Sequence, residues 1–296
     1  MNKFQGTGVA MITPFLKDGG VDYAGLKKLI NYLIEGGVDY LVSLGTTGET
    51  ATLSTSEKHQ IWEFTAEVNA NRVPLVAGIG GNDTREIQNV MKQFDKLGYD
   101  AFLSVSPYYS KPNQEGIYQH YKALSEVSPL PIILYNVPGR TGSNMSPETT
   151  CRLAHDFNNI IGTKEASGSF DQFNLIMRDK PADFLLISGD DPIALPMLSI
   201  GAVGVISVLG NAYPKALSEI INLGLKGNYA EALPNHLRLL EITRLLFTEG
   251  NPVGIKATLA EMGICEANLR LPLVAPSAAL VRQIKTEMEN IADLVG

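Results

Sequence analysis

The chain has 296 residues, 45% of them hydrophobic and 19% charged, so it holds enough apolar material for a large core and is not of disordered composition. Its 24 basic and 31 acidic side chains give a net charge of −7, which argues against a nucleic-acid-binding surface. The apolar runs are too short to cross a bilayer and the first residues lack the apolar core of a secretory signal. We therefore expect a cytoplasmic protein that binds neither nucleic acid nor membrane.

Short β-branched runs alternate with longer amphipathic stretches, a pattern typical of repeated βα units around a parallel sheet. The predicted strands are Gly8–Thr13, Val38–Leu44, Leu75–Ile79, Ala101–Val105, Ile132–Tyr135, Ile160–Lys164, Leu185–Ser188 and Gly204–Val208. The clearest helices between them are Tyr23–Glu35, Ser56–Ala70, Thr84–Leu97 and Asn113–Ser125, several with a capping side chain near the start. Eight such units predict an α/β fold, a closed (β/α)8 TIM barrel.

After the eighth strand the alternation stops, and the chain predicts helices only: Pro214–Leu225, Tyr229–Phe247, Pro252–Met262 and Pro276–Leu294. The first of these helices completes the barrel, so we expect a catalytic barrel over residues 1–226. Residues 227–296 then form a C-terminal helical extension. Because no linker separates the two parts, we expect the extension to pack against the barrel or against another subunit.

The cysteines and histidines predict no metal site. Cys151 and Cys265 lie far apart in sequence, and the histidines are scattered without the spacing of a ligand cluster. Neither a zinc site nor a disulfide framework is indicated, and we expect both cysteines to be buried thiols.

Lys164 is the best candidate nucleophile, because it ends an apolar strand just before a loop that contains Gly168. Taken alone, a lysine at a strand end is more often exposed to solvent. A lysine held partly out of water, however, loses part of its preference for the charged form, and the free amine can attack a ketone to give an imine. The residues that accompany Lys164 decide between these readings.

In a (β/α)8 barrel the chemistry gathers where the strands end, and the unusual residues of this chain fall there. They are Gly45-Thr46-Thr47-Gly48-Glu49, Gly80-Gly81-Asn82, Pro107-Tyr108-Tyr109, Tyr135-Asn136-Val137-Pro138-Gly139-Arg140-Thr141-Gly142 and Gly189-Asp190-Asp191. Each segment alone could be a turn or a packing feature. Arg140 is the hardest to explain in that way, because a fork of donors in a glycine-flanked loop suits a carboxylate.

These motifs, in this order, resemble the pyruvate-dependent class I aldolase superfamily that includes N-acetylneuraminate lyase. Within it they resemble most the family of 4-hydroxy-tetrahydrodipicolinate synthases, also called dihydrodipicolinate synthases. The resemblance runs from Gly8 through the helical tail, and the combination of Gly-Thr-Thr-Gly-Glu, Tyr-Asn-Val-Pro-x-Arg-Thr-Gly, Lys-Glu-Ala-Ser-Gly and Ser-Gly-Asp-Asp makes it specific.

The resemblance implies a lyase that condenses pyruvate with L-aspartate 4-semialdehyde. Its product would be (2S,4S)-4-hydroxy-2,3,4,5-tetrahydrodipicolinate, an intermediate of diaminopimelate and lysine biosynthesis. It implies a Schiff base on Lys164 and no metal or organic cofactor, because the imine itself withdraws electrons from the neighbouring carbon.

The resemblance also implies roles for individual residues. Lys164 matches the lysine that forms the imine, and Tyr135 matches the phenol that relays protons at the same carbon. Tyr135 would share a hydrogen-bonded chain with Thr46 and with Tyr109 of a partner subunit. Dimerisation would then be part of the active site, and we expect a homotetramer built as a dimer of dimers.

Further residues match positions that bind the substrates in this family. Thr47 matches the residue whose hydroxyl and amide hold the pyruvate carboxylate. Arg140 matches the guanidinium that receives the carboxylate of the second substrate. Gly189 and Ile206 match positions that line the pocket.

Two alternatives stay open. Sialic acid lyases on this scaffold usually carry serine in place of Thr46 and lack the arginine that Arg140 matches, because their aldehyde is a sugar. An aldolase of a sugar acid is therefore the weaker alternative. A non-catalytic sensor would predict the loss of Lys164 or Tyr135, and both are present.

The family often binds lysine as a feedback inhibitor in a cleft between paired subunits. The matching positions are Thr50, Ala51, Asn82, Glu86 and Tyr108. This chain departs from the sensitive pattern, since Thr55 and Lys58 stand where sensitive members commonly carry histidines and Thr50 where many carry serine. The alternative is that Asn82 and Glu86 only decorate the start of a helix, so inhibition by L-lysine stays open.

Overall fold

A computed structural model describes residues 3–95 and 97–294, and in it eight parallel strands pair in sequential order and close into a barrel. The strands are β1 (Gly6–Ala10), β2 (Tyr40–Ser43), β3 (Leu75–Gly78), β4 (Ala101–Val105), β5 (Ile132–Asn136), β6 (Ile160–Glu165), β7 (Leu185–Ser188) and β8 (Gly204–Ser207). The predicted (β/α)8 barrel is confirmed.

Helices follow each strand, and more helices make up the tail. They are α1 (Tyr23–Glu35), α2 (Thr55–Asn69), α3 (Thr84–Gln93), α4 (Gln114–Ser125), α5 (Pro138–Thr141), α6 (Pro147–Asp156), α7 (Phe170–Asp179), α8 (Ala194–Ser199), α9 (Pro214–Leu225), α10 (Tyr229–Phe247), α11 (Val253–Glu261) and α12 (Ala278–Asn290). The helices from α10 onward form the extension, in which α10 packs on α8 and α9 of the barrel and on α11 and α12.

Side-chain caps start many of these helices, as the sequence predicts. Ser54 accepts a hydrogen bond from the Glu57 amide, and the Glu57 carboxylate accepts one from the Ser54 amide, which completes a capping box at α2. Asp22 caps α1 by accepting from the Gly25 amide.

Two hydrophobic layers hold the barrel. The inner layer fills the barrel with side chains that point inward from alternate strand positions, including Val42, Val76, Leu103, Ile133, Tyr135, Ile187 and Ile206. The larger outer layer lies between the strands and the surrounding helices.

Several predicted boundaries differ from the structure by a few residues, and three of them have an identifiable cause. The first strand begins at Gly6 and ends at Ala10. It does not continue to Thr13, because the Ile12 amide donates to the Asn211 side chain (3.2 Å) instead of to a neighbouring strand. The second strand ends before Leu44, whose φ of 56° is incompatible with a strand. Helix α3 ends at Gln93, since Phe94 turns extended and packs against aromatic neighbours.

A register shift in β6 sets the positions of the central residues. Ile132 pairs with Ile160, but Ile133 pairs with Gly162, so Ile161 is an extra residue in β6. Because of this shift, Tyr135 pairs with Lys164. If Ile161 instead paired with Ile133 and the ladder continued without a shift, Tyr135 would pair with Thr163 and the lysine would change faces.

Some predicted features fall outside the described residues, namely Lys96 in the third predicted helix and the residues at the termini, Met1, Asn2, Val295 and Gly296. In the part of the chain that is described, we find no helix with the length and apolar character to cross a bilayer. Of the two thiols, Cys151 is buried as expected, whereas Cys265 is only half-buried.

Candidate active site

Lys164 and Tyr135 lie side by side on the inner face of the barrel, where β5 pairs with β6. Both side chains are buried, with relative exposures of 5% for Lys164 and 6% for Tyr135. The Lys164 Nζ atom lies 4.3 Å from the centroid of the Tyr135 ring. An amine and a phenol held together away from bulk water can attack a carbonyl and move protons at the same place.

A buried polar network holds the residues that follow this pair. Asn136 Nδ2 donates to both carboxylate oxygens of Glu165 at 3.1 Å. The same carboxylate accepts from Gln172 Nε2 (3.0 Å) and from the Ser167 amide (2.8 Å). Burial raises the pKa of Glu165, while these hydrogen bonds act in the opposite direction. The network fixes β5 and β6 relative to each other at the position of the lysine and tyrosine.

A second buried carboxylate ties the end of β7 to the end of β8. Asp191 Oδ2 accepts from the amides of Val208 and Leu209, both at 3.0 Å, and Asp191 Oδ1 accepts from the Ser207 hydroxyl. Burial raises the pKa of Asp191, and these hydrogen bonds together with the Lys164 charge act against the rise. The Lys164 charge thus acts on this carboxylate, and the two side chains interact electrostatically at the ends of the strands.

Residues 45–49, which we call the threonine loop, follow β2 and are strongly constrained. The Thr50 hydroxyl donates to the carbonyls of Leu44 and Gly45, both at 2.8 Å. Positive φ angles at Leu44 (56°) and Glu49 (52°) bracket the loop, and non-glycine residues hold such angles only with tertiary support. Thr47 is buried with 2% exposure, whereas Thr46 is exposed.

A cavity of about 410 Å³ opens where β2 to β5 end, a volume within the usual range for small-molecule sites. Thr46, Tyr135 and Arg140 line it. The extension closes one side through Asn251, Pro252, Pro272 and Leu273. Lys164 is not part of the lining, but its Nζ atom contacts the ring of Tyr135, which is.

Arg140 lies in a short helix, α5, where the sequence predicts a loop. The helix begins with Pro138, and the Gly142 amide closes it by donating to the Pro138 carbonyl at 2.9 Å. The Arg140 side chain is exposed and lines the cavity. Its fork of donors is thus free to bind a carboxylate there.

Tyr109 does not reach the cavity of its own chain. Its side chain is 89% exposed, and its φ of 70° places it in the left-handed region. The neighbouring Tyr108 is 39% exposed and lines the cavity. The structure thus separates the two tyrosines, and the Tyr109 phenol is available to a second copy of the chain.

The two remaining predicted pocket residues lie in the barrel wall. Ile206 is 1% exposed and packs in the same interior layer as Tyr135. The Gly189 amide donates to the Glu165 carbonyl at 2.8 Å. A Cβ atom at Gly189 would lie only 2.8 Å from the Ala166 Cβ, so a glycine is needed for this close approach of β7 and β6.

The predicted effector residues are only partly brought together within one chain. Those that line the cavity, beside Lys58, are Thr50, Ala51 and Tyr108. Asn82 Nδ2 donates to the Tyr108 carbonyl at 3.3 Å. Glu86 lies exposed in the first turn of α3.

Two polar residues of the extension, which the sequence motifs do not indicate, contact the threonine loop. Asn251 Nδ2 donates to Thr47 Oγ1 at 3.0 Å. Lys256 Nζ lies 2.5 Å from Glu49 Oε1, with both side chains buried. The available signals were a Gly-Asn-Pro turn around Asn251 and a lysine within the apolar helix α11.

A closed barrel with a cavity at the carboxyl ends of its strands and a buried lysine beside it defines an enzyme of the (β/α)8 class. The model of the Dihydrodipicolinate synthetase family matches residues 3–291 of this chain. The chain belongs to that family.

Individual relatives agree with this assignment. The 4-hydroxy-tetrahydrodipicolinate synthase of Flavobacterium psychrophilum is 51% identical over 284 residues, which cover 96% of this chain and 97% of the relative. A dihydrodipicolinate synthase from Acinetobacter baumannii, crystallised with pyruvate, is 41% identical with a TM-score of 0.94, over 97% of this chain and 98% of that one. The enzyme from Cyanidioschyzon merolae, crystallised with lysine bound, is 39% identical with a TM-score of 0.94, over 98% of each chain.

Proposed function

We infer that the chain catalyses the reaction of its synthase relatives, the condensation of pyruvate with L-aspartate 4-semialdehyde, and we propose that Lys164 carries this reaction. The family match and relatives at about half identity support the activity. The proposal for Lys164 is supported by one observation above all, a buried amine 4.3 Å from the Tyr135 ring centroid where the barrel strands end. The lysine itself activates the carbonyl, so the reaction needs no metal or organic cofactor.

The first half of the reaction forms a nucleophile from pyruvate. The Lys164 amine attacks the keto carbon, and loss of water gives an imine. The imine withdraws electrons from the methyl group, so loss of a methyl proton gives an enamine. Tyr135 relays the protons of these steps, in a hydrogen-bonded chain with Thr46 and with Tyr109 of a partner subunit.

The second half joins the two substrates and frees the enzyme. The enamine carbon bonds to the aldehyde carbon of the semialdehyde, and the aldehyde oxygen takes up a proton to become the 4-hydroxyl group. The amine of the same substrate then adds to the imine carbon and displaces Lys164, which closes the ring. One water is released overall and the lysine is regenerated.

Four residues orient the substrates in this proposal. Thr47 donates to the pyruvate carboxylate, and Arg140, at the cavity, binds the carboxylate of the semialdehyde. Gly189 and Ile206 shape the wall of the pocket beside the lysine.

We propose that the enzyme works in the cytoplasm as a homotetramer, a dimer of dimers. The exposure of Tyr109 supports a pair of copies in which each completes the active site of the other. The relatives support the proposed reaction, and the exposed Tyr109 side chain supports the proposed assembly.

We also propose that L-lysine binds at Thr50, Ala51, Asn82, Glu86 and Tyr108. The lysine-bound relative and the shared cavity support this proposal. The Lys58 ammonium lines the same cavity and would repel the side chain of lysine unless it met the carboxylate instead.

Borohydride reduction with pyruvate tests the proposed function. We expect an adduct that peptide mapping assigns to Lys164 and not to Lys256, the other lysine that is buried among the described residues. Adding L-aspartate 4-semialdehyde before the reductant should remove the adduct, because turnover consumes the enamine. The Lys164→Ala variant is the control and should remain unlabelled. An unmodified Lys164, or an adduct indifferent to the aldehyde, would point to another mechanism or another acceptor.

A further inference from the structure

The last residue of the threonine loop is held by the extension. Glu49 is 5% exposed, and its backbone has a φ of 52°, in the left-handed region. Its Oε1 atom lies 2.5 Å from Lys256 Nζ, and its Oε2 atom accepts from the Arg270 amide at 3.2 Å. Both partners belong to the extension, so the strained end of the loop depends on residues about two hundred positions later in the chain.

Lys256 is fully buried and contacts three groups. Besides Glu49, it donates to the Asn268 carbonyl at 2.8 Å and lies 4.1 Å from the centroid of the Phe15 ring. Burial lowers its pKa, against the attraction of Glu49. A buried ion pair of this kind contributes little to net stability, because desolvation offsets most of the attraction. It does fix geometry, since either charge alone would be left unpaired in the interior.

A second contact from the extension reaches the loop at Thr47. Asn251 Nδ2 donates to Thr47 Oγ1 at 3.0 Å, and Asn251 also lines the cavity. A hydroxyl that accepts a hydrogen bond keeps its own proton free to donate. The Asn251 amide thus makes Thr47 a donor toward any anion bound beside the loop.

We propose that Asn251 and the Lys256–Glu49 ion pair are positioning residues, which hold the threonine loop so that Thr47 donates its hydroxyl proton to the pyruvate carboxylate. The extension is therefore part of the pyruvate site. The inference rests on the proposed function in one respect, the assignment of the pyruvate carboxylate to Thr47.

Two substitutions at Asn251 test the direction of the hydrogen bond. Asn251→Ala removes the donor, and we expect the KM for pyruvate to rise roughly tenfold, the usual loss for one hydrogen bond to a charged ligand. Asn251→Asp keeps the shape of the side chain, but a carboxylate can only accept hydrogen bonds. The Thr47 hydroxyl would then donate to Asp and not to pyruvate, and the variant also adds a negative charge. We expect a larger rise in this variant, and in Asn251→Ala, which adds no charge to the cavity, the KM for the semialdehyde should stay unchanged.

The ion pair needs a test that separates position from stability. Glu49→Gln and Lys256→Met should each lower the Tm and raise the KM for pyruvate. The double variant leaves no unpaired charge, so its Tm should recover while its KM for pyruvate stays high. Arg238→Met is the control, because it breaks an exposed ion pair with Asp293 elsewhere in the extension and should change neither quantity.

Several results would overturn the inference. A KM for pyruvate within about twofold of wild type in Asn251→Asp would refute the proposed hydrogen bond, even if the ion-pair variants failed to fold. A KM that simply followed the Tm across the ion-pair variants would mean that the pair is structural only. If wild-type Lys164 formed no adduct with pyruvate, the proposed function itself would be wrong. If pyruvate were trapped normally but the Asn251 variants kept the wild-type KM for pyruvate, only this inference would be refuted.

Discussion

Replacing Glu165 by alanine should destabilise the protein by about 2–5 kcal/mol. The carboxylate accepts from Asn136, Gln172 and the Ser167 amide. Asn136 Nδ2 and Gln172 Nε2 also donate to Asn144 Oδ1, at 2.8 and 3.3 Å, so both keep a partner. The main loss is therefore the hydrogen bond of the half-buried Ser167 amide, which costs up to about 3 kcal/mol when its donor is left without a partner, and the cavity accounts for the remainder.

The pH dependence provides a second test of the same residue. Burial raises the pKa of Glu165, so the folded state holds this proton to a higher pH than the unfolded chain, in which the pKa is about 4.3. Between these two values the folded state binds more protons, and the contribution of Glu165 to stability falls as the pH rises. Glu165→Gln cannot titrate there. The stability of wild type relative to this variant should therefore decrease through that pH window and stay constant above it.

Urea unfolding at fixed protein concentration measures both effects. Trp62, the only tryptophan of the chain, is 2% exposed and reports on loss of the core by its fluorescence. A loss below about 1 kcal/mol in Glu165→Ala, at an unchanged m value, would refute the hydrogen-bond argument. A relative stability of wild type that increased with pH through the window would refute the stated cause of the pKa shift.

Three further predictions concern activity and packing. Tyr109→Phe should lower kcat with little change in Tm, because it removes one hydroxyl and keeps the ring of a side chain that is 89% exposed within its own chain. Mixing it with inactive Lys164→Ala should restore activity through hybrid pairs; no recovery would argue against a shared site. Arg140→Ala should raise the KM for the semialdehyde by roughly tenfold to a hundredfold while pyruvate trapping on Lys164 persists, as initial rates and borohydride labelling would show. Gly189→Ala should lower stability by about 1–3 kcal/mol in urea, since the new Cβ would meet the Ala166 Cβ at 2.8 Å, and an unchanged midpoint would contradict the packing argument.

The barrel could be predicted because its pattern is local and repeated. Each strand is a short apolar run, and helices such as Tyr23–Glu35 and Tyr229–Phe247 follow from their own periodicity and end where predicted. The strand ends were less predictable, because they depend on distant partners. The first strand ends just before Ile12, whose amide donates to the side chain of Asn211, a residue 199 positions later in the sequence.

The site could be predicted only as far as its residues stand in sequence motifs. The motifs supplied Lys164 and Tyr135, which the structure brings together. No motif indicated Asn251, because its importance arises from a contact with Thr47 that only the folded chain creates. The short helix at Arg140 was also missed, because a single turn is too short to show periodicity.

The extra residue Ile161 has a practical consequence for protein engineering. A designer who wished to move the lysine to another strand of a (β/α)8 scaffold would have to transfer the register shift as well, because the parity of the strand decides whether the amine faces the interior or the surrounding helices. Deleting Ile161 from this chain should be far less harmful, because Ile160 would still oppose Ile132 and Gly162 would still oppose Ile133, so the strand would become regular and the amine of Lys164 would stay on the inner face.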